Sequence, residues 1–101
     1  MFIAMNNFRV DATKDAEFED AWRKRESYLA EVPGFREFHL LKGPLDGEGG
    51  RLWASHTVWE DEAAFRAWTE SPAFHKAHSQ GRTTATFMLG PPRFIGWDVV
   101  L

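Results

Sequence analysis

A chain of 101 residues with a formal charge of −3 is expected to form one domain and carries no basic stripe suited to nucleic acid. It has no cysteine, which removes disulfides and thiolate chemistry, while five tryptophans and nine phenylalanines are more aromatic surface than one small layer hides, so a homodimer is expected. The opening FIAMNNFRV has neither the basic start nor the apolar run of a secretory signal, and no stretch nears membrane-spanning length, so a cytoplasmic protein without membrane insertion is expected.

The period of two predicts a first strand from Phe2 to Val10, with Phe2, Ala4, Asn6, Phe8 and Val10 on one face and Asn7 on the other. Residues 11–14 turn and cap a helix reaching about Glu31, with Phe18, Ala21, Trp22, Arg25, Leu29 and Val32 along one stripe. Pro33 and Gly34 end it. Strands follow from Phe35 to Leu41 and from Arg51 to Trp59, joined by the turn-forming GPLDGEGG. Glu60 and Asp61 open a second helix bearing Ala64, Phe65 and Trp68, and Ser71-Pro72 restarts a helical segment with Phe74, His75, Ala77 and His78. Residues 79–92 read as a loop and Arg93 to Val100 as the last strand.

Strand, helix, two strands, helix, strand is the split βαβ order, an α+β ferredoxin-like fold with a four-stranded antiparallel sheet and both helices on one face. The other face also reads as partly apolar, with Ile3 and Met5 opposite Phe2 and Ala4, and with Trp53 and Trp59 opposite Leu52 and Val58. A second copy packed sheet against sheet would bury it in a barrel-like dimer core, leaving a cavity between the helices and the inner face.

The chemistry-bearing positions are few. His78 closes FRAWTESPAFHKAH ten residues after Trp68, and an imidazole in an aromatic pocket is either a metal ligand, as for haem iron, or a satisfied histidine near a helix end. Asn6 puts an amide on an apolar strand face. Arg25 interrupts the first helix stripe, where it either meets a carboxylate ligand or snorkels to solvent. His75 lies one turn before His78 and is its rival, whereas His39 and His56 sit in strand patterns suited to structural roles. Glu60, Asp61 and Glu62 suit a helix start better than a catalytic carboxylate pair.

Through IAMNNFRV, VPGFREFHLLKGP, ASHTVWEDEAAFRAW and SPAFHKAH, nearly the whole chain resembles the IsdG-like haem-degrading monooxygenases of the antibiotic biosynthesis monooxygenase superfamily. The superfamily blocks imply the dimeric ferredoxin-like fold. An Asn on the first strand with a Trp and a following His in the second helical region is more specific, and the resemblance puts this triad on Asn6, Trp68 and His78. It implies that His78 ligates the iron, Asn6 donates a hydrogen bond on the opposite side, and Trp68 presses the macrocycle out of plane. Phe8, Trp22, Phe65 and Phe74 would then line the haem pocket, with Arg25, and more weakly Arg82, at a propionate.

The implied reaction of this single domain, residues 1–101, is haem cleavage with O2, releasing iron. Haem is both substrate and cofactor, and the external electron donor is a separate reductase or small reductant, since no flavin or nicotinamide module is evident. The loop after His78 influences which meso carbon is exposed, so product identity stays open. A cofactorless monooxygenase of polycyclic phenols or quinols and a haem carrier or sensor without turnover are the alternatives.

Overall fold

The computed structural model describes residues 1–24, 29–72, 74–76 and 86–101. The elements are strand β1 (Phe2–Asp11), helix α1 (Asp15–Lys24), strand β2 (Phe35–Leu45), strand β3 (Gly50–Trp59), helix α2 (Glu62–Thr69) and strand β4 (Arg93–Asp98), with 3₁₀ turns at Ala12–Lys14 and Leu29–Glu31. The sheet is antiparallel throughout in the order β2-β3-β1-β4, as the ferredoxin-like pattern predicts.

Phe2, Ala4, Phe8 and Val10 of β1 are buried beneath the helices, as the strand alternation predicts. The β1–β3 register then aligns Phe2 with Trp59, Ala4 with Thr57, Asn6 with Ser55 and Phe8 with Trp53. Trp53 and Trp59 therefore belong to the inner, helix-covered face, which corrects the expectation that put them outside. Alternation within one strand separates its two faces but does not say which is buried; pairing with β1 decides it. The inner face also satisfies both indoles. Trp59 is 0 % exposed and donates from Nε1 to the Thr57 hydroxyl (2.9 Å), which itself donates to the Ala4 carbonyl (3.3 Å). Trp53 donates from Nε1 to Asp15 at the start of α1 (3.0 Å), and Arg51 grips the other oxygen of the same carboxylate (2.7 Å).

Both helices lie on this face. α1 buries Phe18, a contribution of about 1.5–3 kcal/mol for a side chain of this kind. Acidic Asp15 and Glu17 in its first turn and basic Arg23 and Lys24 in its last complement the helix dipole. The continuous helix expected to about Glu31 is described as α1 and a separate 3₁₀ turn, and Leu29 of that turn is buried in the core. α2 starts where expected, with Asp61 as its cap accepting from the Ala64 N–H (2.8 Å). Gly34 lets the turn before β2 approach α2: its φ is +84°, and a Cβ there would lie 2.5 Å from that of Ala64. No helix among the described residues is long and apolar enough to cross a membrane.

Two boundaries depart from expectation. β2 continues past Leu41 to Leu45, because it is an edge strand with a register shift between Lys42 and Leu45, where Pro44 costs no ladder bond. In the segment expected to be a loop, Met88 forms a bridge to Val10 and Leu89 donates to the Arg9 carbonyl (2.8 Å). Phe87 and Met88 thereby pack on the core beside Phe8 and Phe18.

The uncovered face carries Ile3, Met5, Leu41, Leu52 and Trp97, with Leu52 46 % and Trp97 52 % exposed. His39 and His56 share this face, with ring centroids 5.9 Å apart, and Asn7 is also there, donating to the Arg93 carbonyl (3.2 Å).

The β2–β3 turn is tied to β1 by Arg9, which donates to Asp46, while the Glu48 and Gly50 N–H groups donate to the other Asp46 oxygen (2.7 and 3.0 Å). The Arg9 bond first, then the Glu48 N–H, holds the Asp46 carboxyl down to about 2, against an unfolded value of about 3.9. A lowered folded value contributes stability that is present above the unfolded value and lost as pH falls through the folded one. Asp46→Asn should accordingly lower Tm near neutral pH and converge with the wild type as pH approaches about 2, read from thermal melts across pH. Curves that stay parallel through the acid range would exclude the tie.

Candidate functional site

The inner face of the sheet is divided into two aromatic territories. Beneath α2 lie Phe2, Ala4, Leu29 and Trp59, with Phe65 and Trp68 packed on them. Beneath α1 lie Phe8, Val10, Phe18 and Trp53, with Trp22 packed on them. β1 runs under both, and between Ala4 and Phe8 it places Asn6. The register sets Ser55 of β3 beside Asn6 on one side and Phe94 of β4 on the other, with Leu40 of β2 beyond Ser55. The floor of the seam thus holds two polar side chains in an apolar row. Asn6 is half-buried and Ser55 is 8 % exposed. Neither side chain has a hydrogen-bond partner among the described residues, whereas the neighbouring Thr57 hydroxyl is fully engaged.

The α2 wall is a connected set of rings. Trp68 meets Trp59 (5.4 Å between centroids), Phe65 (6.2 Å) and, edge to face at 89°, Phe74 (4.8 Å). Phe65 stacks on Phe94 at 5.5 Å and 5°, and Phe94 is 48 % exposed at the sheet edge. Phe74 is held by Ser71, whose hydroxyl donates to the Trp68 carbonyl (2.6 Å) and accepts from the Phe74 N–H (3.2 Å), so Pro72 stands in the first turn of the restarted helix as expected. On the α1 side, Trp22 lies 6.0 Å from Phe8 and stacks on Phe38 at 5.9 Å.

Asn6, Phe8, Trp22, Phe65, Trp68 and Phe74 therefore all lie on or behind the helix-facing side. Phe8 is buried behind the surface of the seam, while Trp22, Phe65, Trp68 and Phe74 are half-buried. Arg25, His78 and Arg82 lie outside the described residues. His75 is exposed, 5.7 Å from the Phe74 ring. His39 and His56 are across the sheet from Asn6, with His39 3.5 Å from Glu37. Asp61 caps α2 and Glu62 pairs with Arg66 (2.9 Å), the helix-start role expected of that acidic run. Among the described residues no three His, Asp or Glu side chains converge as a metal site.

Ser55 and Phe94 escaped the sequence reading. The signal for Ser55 is the alternation Trp53, Ser55, Thr57, Trp59, two of whose members, Trp53 and Trp59, were expected on the other face. Phe94 required the β1–β4 register.

A separate groove of about 630 Å³ runs between the turn at residues 31–34 and α2. Val32, Ala64, Ala67 and Trp68 line it, and Glu31, Glu60 and Asp61 stand on its rim. Three carboxylates there repel an anionic ligand, so the groove and the seam differ in the ligands they suit.

The family model described as "Antibiotic biosynthesis monooxygenase" matches residues 1–80. The chain belongs to the antibiotic biosynthesis monooxygenase family. Within that family it is similar to the mycobilin-producing heme oxygenase of Mycobacterium tuberculosis, 33% identical over 78 residues, which are 75% of this chain and 71% of that protein. Among solved structures, the heme-degrader MhuD of Mycobacterium tuberculosis, with two hemes bound in its active site, is 32% identical with a TM-score of 0.75, covering 100% of this chain and 97% of that one. The resemblance to haem-degrading members of the antibiotic biosynthesis monooxygenases is thereby borne out. SnoaB, a cofactor-independent oxygenase from Streptomyces nogalater, is 21% identical with a TM-score of 0.69 over 97% of this chain and 91% of that one, a likeness of fold.

Trp68 contacts three other rings, so it is a core residue as well as a wall. Full truncation of a buried aromatic costs about 3–5 kcal/mol. For half-buried Trp68, Trp68→Ala should cost about 2–3 kcal/mol and Trp68→Phe about 1, measured by urea unfolding. A loss below about 0.5 kcal/mol in Trp68→Ala would remove the packing role.

Proposed function

We propose that this chain binds haem in the seam between α1 and α2 and oxidises it with O2 and electrons from a separate reductase or small reductant, yielding a linear tetrapyrrole and free iron. The observation that carries this reading is the Asn6 amide, half-buried and without a partner among the described residues, set between two aromatic walls in a chain similar to heme-degrading proteins. A half-buried amide with no partner among the described residues is available to a ligand that accepts its N–H. Flat aromatic walls suit a planar macrocycle. The acid-rimmed groove does not suit its two propionates.

Haem, as substrate, supplies the iron at which O2 is reduced and activated. His78 holds that iron through one ring nitrogen. Asn6 would offer its amide N–H to a small ligand of the bound haem, where charge is to be stabilised. Trp68, braced by Trp59 and Phe74, would contact the macrocycle as a rigid wall. Phe65, Phe74 and Trp22 exclude water around the ring, Phe8 supports Trp22 from behind, and Arg25 pairs with a propionate. Residues 1–101 act as one haem-oxidising domain. Two copies associate through the uncovered sheet face, where Met5, Leu41, Leu52 and Trp97 leave water on closing into a barrel-like core.

Aerobic haemin titration in the presence of catalase, followed by ascorbate, tests the activity. Saturable binding and then loss of the haem bands with ferrous iron release is the expected outcome. Stable bound haem would indicate carriage or sensing, and absence of specific binding would point to cofactorless oxidation of an aromatic substrate. His78→Ala should abolish the native haem spectrum while His75→Ala retains it; the reverse result would move the ligand to His75. Asn6→Ala should keep haem binding and slow turnover by about 10²-fold. For the dimer, sedimentation should give twice the 11.6 kDa chain mass, and Met5→Glu, on the uncovered face, should shift it to the monomer. A monomeric wild type would overturn the assembly.

A further inference from the structure

Ser55 has polar chemistry that neither the fold nor the proposed roles use. It is paired directly with Asn6 across β1 and β3, which places the two Cβ atoms about 4.5–5.5 Å apart on the inner face. Its flanking inward neighbours, Trp53 and Thr57, are both satisfied: the Trp53 indole by Asp15, the Thr57 hydroxyl by Ala4 and Trp59. The Ser55 hydroxyl has no partner among the described residues, although the residue is only 8 % exposed. It is also not among the sealed side-chain polar atoms left without a partner in the described residues, so it still opens onto the seam. A hydroxyl and an amide side by side, both unengaged and walled by rings, are the two or more polar contacts that a small polar molecule needs to be held between them.

We propose that Ser55 and Asn6 together form a two-point hydrogen-bonding subsite for a small ligand of the bound haem, such as water, dioxygen or a small anion. This rests on the haem reading given above. The two groups are not equivalent. The Asn6 amide offers N–H donors and a carbonyl acceptor, whereas the Ser55 hydroxyl both donates and accepts and rotates freely to suit. A ligand held by Asn6 alone is free to swing about one hydrogen bond. Held by both, it leans in one direction set by the line from β1 to β3. That direction selects the edge of the macrocycle it approaches, so Ser55 is a specificity-determining residue for the position of oxidation.

The test uses the ferric haem complex of the full chain with azide as the probe, read by the spectral shift of the haem and the azide infrared stretch. Ser55→Thr and Ser55→Val have nearly the same volume and differ in the hydroxyl, which separates hydrogen bonding from packing. Ser55→Val and Ser55→Ala should weaken azide binding about fivefold, with a displaced azide stretch, while Ser55→Thr stays within about twofold of the wild type. Under turnover the Ser55→Val variant should broaden the distribution of product isomers. Equal azide affinities in Ser55→Thr and Ser55→Val, whether both normal or both weakened, would overturn the hydroxyl role while leaving the haem reading in place. Failure of the wild type to bind haemin in a saturable manner would overturn both.

Discussion

The register between β1 and β3 is the constraint on which the rest of the molecule depends. Phe2 against Trp59 and Phe8 against Trp53 puts the largest side chains of the two central strands on one face, and the helices pack there because that is where the apolar area is. A slip of one residue would turn both tryptophans to the uncovered face and bring His56 and Leu52 beneath the helices. It would also break the hydrogen bonds that the two indole N–H groups donate to Thr57 and Asp15. In the register found, Thr57 and Asp15 accept from them, so burial of the rings costs no unpaired donor.

The same register makes the site. Large rings pack well against α1 at one end of β1 and against α2 at the other, and the pairs between them are small and polar. Asn6 beside Ser55 leaves neither helix anything large to grip, so the two aromatic clusters separate at that point. Polar groups that the core does not use are poor contributors to stability and are suited to a ligand that completes their hydrogen bonds. Trp68 serves the core through Trp59 and Phe65 and also lines the separate groove beside α2.

Edges are handled by local chemistry. β2 carries Pro44 and two register shifts on the outer edge of the sheet, where a missing N–H disturbs no ladder. Beyond β1, the 86–89 segment returns through Met88 and Leu89 to close the end of the α1 cluster. Gly34 lets the second turn lie directly on Ala64, so α2 is located by a backbone contact as well as by its apolar stripe. These contacts hold the helices at fixed positions on either side of the seam.

Periodicity in the chain was enough for the element order, the inward face of β1 with Asn6 on it, the helix starts near Asp61 and Ser71, and hence the ferredoxin-like fold, because those features depend on neighbours within one strand or one helical turn. Resemblance supplied the family, and the family match agrees with it. Trp53 and Trp59 were read on the wrong face for a definite reason: β3 alternates large and small residues on both sides, Leu52, Ala54 and Val58 against Trp53, Ser55 and Trp59, so its own pattern contains no inward direction. Only pairing with β1 breaks that symmetry. The placement of Phe94 beside Asn6, the closing of the core by Met88 and the continuation of β2 past Leu41 likewise arise between segments distant in the chain. The sequence by itself determined what each element is and which residues it offers; the tertiary structure decided which of those residues meet, because register is a property of two strands and is carried by neither alone.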